Sequence, residues 1–355
     1  ESGLATRLFT PIASLNPTPL TIQGEGTLLY RPMTMMIEPL RQLGVQVRDG
    51  GGFLPIEVQG PIHGGKIKVD GSVSSQFITG LLLALPLAKE DTTLYVDSPV
   101  STPYIEMTID TARQFGVEIM HNEGDYTEFF IEGGQQYTPT DLSIEGDWSG
   151  ASYWYELAAI AARQGHEVDI LLPALMPGSC QGDRVLAEMF EELGIRTEYT
   201  EEGVRLLGGN FQLSSLTSAP TGVDLRFNFP LEKDFTHCPD IAQTLAVTYC
   251  LLGVRFRLCG IHSLRIKETD RVAALIAELR KLGYVLRAEG DECLVWDGTR
   301  CQAEEHPTIA TYDDHRMAMA FAPAALCYKE LAIEHPEVVT KSYPTFWEDI
   351  EQIKK

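Results

Sequence analysis

The residues best suited to chemistry stand together in Arg265-Ile266-Lys267-Glu268-Thr269-Asp270-Arg271, just ahead of an amphipathic run to Leu282. Thr269 or Asp270 can cap a helix, and Val272, Leu275, Ile276, Leu279 and Leu282 follow at helical spacing. Lys267 and Arg271 therefore bracket a helix start, where the positive end of the macrodipole disfavours a cation by about 0.3–1 kcal/mol. A bound anion removes that penalty, because a helix N-terminus is already a phosphate or carboxylate site. A solvated Glu268–Arg271 surface pair explains the same residues without any ligand, since such pairs form readily. Two more arginines take comparable places: Arg31 before Pro32, a good first helical residue, and Arg316 after Asp313-Asp314-His315. Three such positions suggest helix starts gathered on an anion, with planar guanidinium forks matching phosphate or carboxylate. The alternative is neutralisation at the surface by Glu268, Asp270, Asp313 and Asp314.

Other positions are ambiguous on their own. Ser74-Ser75-Gln76, after Asp70-Gly71-Ser72-Val73, offers hydroxyls and backbone N–H groups at a helix start, which suits a phosphate or only a cap. Asp240, after Pro239, is open between an N-cap and a general base. His237 and Cys238 beside it find no support elsewhere for a nucleophile or metal site. Gly24-Glu25-Gly26 and Gly50-Gly51-Gly52 are turn glycines, since neither completes a dinucleotide or phosphate-loop motif.

The elements that must position these residues recur. One helix type is amphipathic and ends in a bulky apolar residue and Gly: Leu43-Gly44, Phe115-Gly116, Leu193-Gly194 and Leu282-Gly283, with the glycines 72, 78 and 89 residues apart. Its helices are expected over 32–43, 104–115, 183–193 and 269–282, with a fifth copy from Pro344. A second type starts near Ser74, Asp147, Asp240 and Asp314 and runs into apolar sequence, and residues 5–14 resemble an earlier copy. Short strands are expected over 66–69, 93–96, 129–131, 168–172, 255–259 and 331–333. Five copies of a two-helix α/β unit follow, about 70–90 residues each, which fit two domains better than a solenoid. The break is placed in 133–139, giving domains at 1–140 and 141–355.

Composition bounds the partners. With 44% hydrophobic and 22% charged residues the chain reads as an ordinary globular protein. Its formal charge of −22 argues against nucleic acid or an anionic membrane as partner, so an anionic substrate needs a local basic pocket. The longest apolar run, Phe77 to Ala88, is too short to span a bilayer and holds Pro86. A cytoplasmic, monomeric protein is expected. Seven scattered cysteines without metal-ligand spacing are expected to be reduced, mostly buried thiols.

Four stretches resemble motifs of the EPSP synthase (3-phosphoshikimate 1-carboxyvinyltransferase) family: Asp70 to Phe77, Arg265 to Arg271, Tyr312-Asp313-Asp314-His315-Arg316-Met317-Ala318-Met319, and Val338-Val339-Thr340-Lys341-Ser342-Tyr343-Pro344. The resemblance runs from Glu1 to the C-terminus. It implies an α/β, two-domain enolpyruvyltransferase fold of repeated βαβαββ units, with the N-terminal domain incomplete because its first unit is largely missing. The reaction it implies moves enolpyruvyl from phosphoenolpyruvate to the 5-hydroxyl of shikimate 3-phosphate and releases phosphate, without metal or organic cofactor. Carried over by motif, Arg31, Arg271, Arg316 and Lys341 hold phosphoenolpyruvate, with Gln76 and the Gly3 backbone nearby. Ser74, Ser75, Ser101, Tyr104 and Lys267 hold shikimate 3-phosphate. Asp240 binds and deprotonates the attacking hydroxyl, Glu268 moves a proton at the methylene carbon, and Asp314 and His315 line the same site.

The departures are specific. The family's Gly-Ser-Lys-Ser segment would lie upstream of Glu1, Glu1-Ser2-Gly3 replaces an Asn-Ala-Gly type sequence, Leu8 follows Arg7 where Pro is usual, and Ser263 stands where Asn often contacts shikimate 3-phosphate. Little phosphate release is therefore expected from this chain, which makes a non-catalytic shikimate 3-phosphate binder one alternative. Another is the related UDP-N-acetylglucosamine enolpyruvyltransferase, which typically uses a loop cysteine; here no cysteine precedes Cys180. Arg271→Ala is expected to weaken phosphoenolpyruvate binding far more than folding.

Overall fold

The structure, a computed structural model, describes residues 2–209 and 230–353. The chain divides into two compact units, Glu1–Ser143 with Cys180–Gly182, and Ile144–Ser179 with Asp183–Lys355. Each has a hydrophobic core of its own.

The first unit opens with α1 (Gly3–Ala13), β1 (Leu20–Ile22), α2 (Thr34–Gln42) and the antiparallel pair β2 (Gln46–Asp49) and β3 (Ile56–Gln59), in the order β1-β3-β2. It continues through β4 (Gly65–Asp70), α3 (Ser75–Ala84), β5 (Thr92–Asp97), α4 (Thr102–Gln114) and β6 (Glu128–Ile131). There β4 runs parallel to β5 and β6 antiparallel to it. The second unit repeats the theme with α5 (Trp148–Arg163), β7 (Val168–Pro173), α6 (Leu186–Glu191), β8 (Arg196–Thr200) and β9 (Gly203–Gly208). Then come β10 (Leu231–Asp234), α7 (Ala242–Leu252), β11 (Phe256–Cys259), α8 (Arg271–Lys281), β12 (Arg287–Glu289) and β13 (Cys293–Trp296). This stretch is a whole βαβαββ unit: β10 is parallel to β11, and β13 lies antiparallel between β11 and β12. The last repeat holds β14 (Thr308–Ile309), α9 (His315–Phe321), β15 (Ala332–Ile333) and α10 (Phe346–Ile353), with β14 parallel to β15. The five helix pairs among the described residues are those expected from the sequence repeat.

The two helix types bury different faces, for the reason their patterns give. In α5 and α7 nearly every side chain is buried, because small and apolar residues surround the whole helix; α7 packs against both α5 and α9. By contrast α2, α4 and α8 bury one stripe and keep a polar face. The predicted glycines past the amphipathic helices, Gly44, Gly116, Gly194 and Gly283, take φ between 80° and 92°, the left-handed value a side chain resists.

Two expectations are corrected. Pro32 does not open α2, which starts at Thr34; Arg31 ends the 3-10 turn Gly26–Tyr30 with extended backbone (φ −86°, ψ 127°), the conformation favoured before proline. The cysteines are not all reduced, since Cys259 and Cys293 form a disulfide where β11 and β13 pair. Their separation of 34 residues hid a partnership that only strand register creates. Of the free thiols Cys238 and Cys250 are buried, Cys301 is intermediate, and Cys180 and Cys327 are exposed. Among the described residues no helix is long and apolar enough to cross a membrane.

Candidate active site

In the second unit Asp270 caps α8, accepting the Ala273 N–H at 3.0 Å, so Arg271 becomes the first helical residue. Asp314 caps α9 by accepting the Arg316 N–H at 2.9 Å. Just before it, Tyr312 and Asp313 both take φ of 55°, a conformation that persists only when its surroundings enforce it. Glu278, buried on α8 two turns beyond Arg271, does so: it accepts the Tyr312 hydroxyl at 2.7 Å and the Ala310 N–H at 3.0 Å. Glu278 thus fastens the loop ahead of α9 to α8 and brings Asp314 to Arg271.

The result is an ionic cluster with a buried centre. Arg271 is 1% exposed and Asp314 is fully enclosed. The arginine donates from Nε to Asp314 Oδ2 at 2.7 Å and from Nη2 to Asp314 Oδ1 at 3.2 Å, a bidentate fork. It also reaches Asp240 Oδ1 at 3.1 Å and Glu268 Oε2 at 3.0 Å. The expected Glu268–Arg271 pair is therefore present but buried, not a solvated surface contact. Lys267 Nζ lies 3.4 Å from Asp240 Oδ1, Arg316 Nη2 lies 3.5 Å from Asp240 Oδ2, and Lys341 Nζ lies 3.3 Å from Glu268 Oε1. Four cations face three carboxylates.

Asp240 sits in the 3-10 turn Pro239–Ile241 and makes no side-chain cap, so its carboxylate serves the cluster and not the helix. Burial alone would raise its pKa, but Lys267, Arg316 and Arg271 outweigh that and hold it well below the usual carboxylate range. Burial, with Arg316 next, pushes His315 down to about 4, so the imidazole is neutral at pH 7. Its Nδ1 has no hydrogen-bond partner in the structure. Asp240, Lys267, Glu268, Arg271, Asp314, Arg316 and Lys341 are thus brought together, with His315 at their border.

The first unit gathers a separate set. Ser74 caps α3 by accepting the Gln76 N–H at 3.3 Å, and Ser75 is buried beside it. Gln76 Oε1 accepts from Arg7 Nη1 at 2.7 Å, and the Arg7 guanidinium lies 4.7 Å from the centre of the Phe77 ring. Arg31 approaches Gly3 so closely that a Cβ there would stand 2.6 Å from Arg31 Nη1. Ser101 precedes α4 in the left-handed conformation at φ 53°, and Tyr104 follows on the first turn of that helix. Gly3 with Arg31 and Ser74–Gln76 with Arg7 are brought together in this way. Ser101 and Tyr104 sit at the start of the neighbouring helix, which packs on α3.

Residue types and spacing left two participants out. Arg7 lies one helical turn after Gly3, a spacing that places both on one face of α1. Asp183, fully buried, accepts a hydrogen bond from the Ser149 hydroxyl on the first turn of α5. Before a helical run it reads as one more capping aspartate, and only its burial sets it apart. Among the described residues no three His, Cys, Asp or Glu side chains are grouped to hold a metal ion.

Known proteins match this chain along its length. The family model for EPSP synthase (3-phosphoshikimate 1-carboxyvinyltransferase) matches residues 1–350. A 3-phosphoshikimate 1-carboxyvinyltransferase of Bacteroides fragilis is 39% identical over 353 residues, 98% of this chain and 81% of that protein. The fold is that of EPSP synthase from Acinetobacter baumannii, with a TM-score of 0.71 at 22% identity over 99% of this chain and 77% of the other. The enolpyruvyl transferase NikO from Streptomyces tendae has the same fold, with a TM-score of 0.67 at 15% identity, covering 97% and 74%. On the family match and the Bacteroides relative, the chain belongs to the EPSP synthase (3-phosphoshikimate 1-carboxyvinyltransferase) family.

Proposed function

We propose that the protein transfers the enolpyruvyl group of phosphoenolpyruvate to the 5-hydroxyl of shikimate 3-phosphate. The observation that carries this reading is the cluster of Lys267, Arg271, Arg316 and Lys341 around Asp240 and Glu268, in a chain of net charge −22 that offers anions little elsewhere. Phosphoenolpyruvate brings a carboxylate and a phosphate, the groups that guanidinium forks bind best. Arg31, Arg271, Arg316, Lys341, Gln76 and the Gly3 backbone are the proposed phosphoenolpyruvate ligands. Ser74, Ser75, Ser101, Tyr104 and Lys267 are the proposed shikimate 3-phosphate ligands, with Asp314 and His315 lining the site. The protein is proposed to act as a monomer in the cytoplasm, with these two small molecules as its partners.

In the reaction the methylene carbon gains a proton from Glu268 while the 5-oxygen bonds to the neighbouring carbon and its proton passes to Asp240. The tetrahedral adduct then returns the methyl proton to Glu268 and expels phosphate, which takes the proton held by Asp240, leaving the enol ether. Without substrate, Asp240 is a poor base, since three cations stabilise its charge. Anionic substrates would share those cations and release part of that hold, so Asp240 gains basicity as the reactants arrive.

The test supplies the chain with both substrates and measures phosphate. Release that needs both, and falls about 100-fold or more in Asp240→Asn, is what this reading requires, in place of the little release that the sequence departures alone suggest. Calorimetric binding of shikimate 3-phosphate without turnover would favour a non-catalytic binder, and no binding of either substrate would overturn the proposal.

A further inference from the structure

The chain between β11 and α8 carries Lys267 and Glu268 to the ionic cluster, and little apolar packing holds it there. Ile261, Ser263 and Leu264 are buried around the 3-10 turn His262–Ile266, but Ile266 is 52% exposed and Lys267, Glu268 and Thr269 are only partly covered. Lys267 has also left helical geometry, with φ −81° and ψ −144°, so no helical ladder carries the chain on to Asp270.

Arg265 closes this loop instead. Its Nη1 donates to Asp270 Oδ2 at 3.2 Å, while Asp270 Oδ1 is the cap of α8. The first residue of the loop thus grips the last, with Ile266, Lys267, Glu268 and Thr269 between them. The other arm of the fork, Nη2, donates to the Gly290 carbonyl at 3.1 Å, in the turn between β12 and β13. Asp291, in the same turn, lies 3.2 Å from Nε but is 82% exposed, so solvent screens that pair. The turn itself is well anchored. Cys293, which opens β13, is joined by the disulfide to Cys259 at the end of β11. Beside it the Ile261 N–H donates to the Glu292 carbonyl at 3.4 Å, and His262 Nδ1 lies 3.7 Å from the Glu292 carboxylate. One guanidinium therefore ties the cap of α8 to a turn that a covalent bond fixes on β11.

We propose that Arg265 is a positioning residue: by closing the loop 265–270 at its base and fastening it to the β12–β13 turn, it holds Lys267 at Asp240 and Glu268 at Arg271 and Lys341 before substrate arrives. Arg265 acts through the backbone. A loop released at its base lets Lys267 leave Asp240 and Glu268 leave its two cations, and substrate then has to order both on binding. The fork matters as much as the charge, since a planar guanidinium spans two acceptors and an ammonium on a flexible stem reaches one. The kinetic consequences rest on the enolpyruvyl transfer proposed above; the hold on Lys267 does not.

The first measurement therefore uses the substrate-free 355-residue chain and an amine-acylating N-hydroxysuccinimide ester. Peptide mass spectrometry follows the acylation of Lys267 against that of exposed Lys89. Arg265→Ala is expected to speed Lys267 about fivefold while Lys89 keeps its rate, the shift that losing one hydrogen bond gives a local opening equilibrium. Arg265→Lys is expected to free Lys267 likewise. An unchanged Lys267 rate in Arg265→Ala, or a wild-type rate in Arg265→Lys, would overturn the proposal. Should Arg265→Ala fail to fold, Asp270→Ser keeps a cap on α8 and removes the oxygen that Arg265 grips. It too is expected to speed Lys267, and a wild-type rate there would count against the clasp. The second measurement is steady-state kinetics. Arg265→Ala is expected to raise KM for shikimate 3-phosphate about tenfold and to lower kcat about tenfold, with KM for phosphoenolpyruvate within about twofold of wild type. A merely structural residue would not separate the two substrates, so equal changes in both KM values, or none, would count against Arg265 as the hold on Lys267. A wild-type chain that turns over neither substrate defeats the transfer reaction and leaves the acylation rates to decide Arg265.

Discussion

Arg271 shows how far burial changes the meaning of a residue. On the surface an arginine–carboxylate pair is worth less than about 1 kcal/mol, and its loss is barely felt. Here the guanidinium satisfies Asp314, Asp240 and Glu268 at once, and Asp314 has no access to water. Arg271→Ala leaves that buried carboxylate without its fork, an event that costs about 3–5 kcal/mol. Folding of the second unit therefore suffers at least as much as ligand binding, contrary to what the sequence alone suggests. A urea titration should show the loss as a lower midpoint at unchanged slope, and a midpoint equal to wild type would mean the cluster relaxes or admits water. The types and spacing of these residues announced an anion-handling cluster. They did not announce which charges are enclosed, because Glu278 and the left-handed Tyr312 and Asp313 decide that through contacts more than 30 residues apart in sequence.

At the scale of elements, helices were legible and many strands were not. The amphipathic period, the terminal glycines and the capping aspartates located all five helix pairs to within a few residues. Strands such as β8, Arg-Thr-Glu-Tyr-Thr, are short, largely exposed and lack clear alternation, so only pairing with β9 defines them. Close helix contact was likewise invisible. α3 meets α1 at Gly80, where an added Cβ would press into the Arg7 carbonyl and stand 3.2 Å from Pro11 Cγ. Pro11 lacks the N–H that a helical ladder would direct at that carbonyl, so α1 presents bare backbone to its neighbour. Gly80→Ala should therefore cost about 1–3 kcal/mol and draw Arg7 from Gln76, although alanine alone favours a helix by about 1 kcal/mol. Circular dichroism during chemical unfolding checks the sign: a stabilised variant would mean that propensity outweighs the contact.

On the scale of the whole molecule, the two cores differ in what they enclose. Asp183, Glu156 and His315 are all buried in the second unit, and all four tryptophans, Trp148, Trp154, Trp296 and Trp347, belong to it as well. Tryptophan emission therefore reads the stability of that unit alone, while circular dichroism reads both. His315 titrates at about 4 when folded against an ordinary 6.5. As pH falls from 6.5 to 4 the unfolded chain takes a proton the folded one refuses, and stability is lost, by up to about 3 kcal/mol. Asp183 works the other way. Its folded value of about 6 exceeds the ordinary 3.8, so stability is fully present below 3.8 and is lost as pH rises through 6. Glu156, raised by burial, acts in the same sense as Asp183. Between pH 7 and 4.5 the opposed groups offset one another, and the tryptophan-detected midpoint should hold steady or rise slightly on acidification. Below 3.8 it should fall, because the unfolded chain then takes up a proton at Asp240 that the folded one, held charged by three cations, refuses. Substitution separates the two directions. At pH 5 relative to pH 7, His315→Gln should raise the tryptophan-detected Tm by about 5 °C more than wild type does, and Asp183→Asn should lower it instead. A His315→Gln profile parallel to wild type would mean that the imidazole is charged within the fold, and the ordering of charges around Arg316 would have to be redrawn.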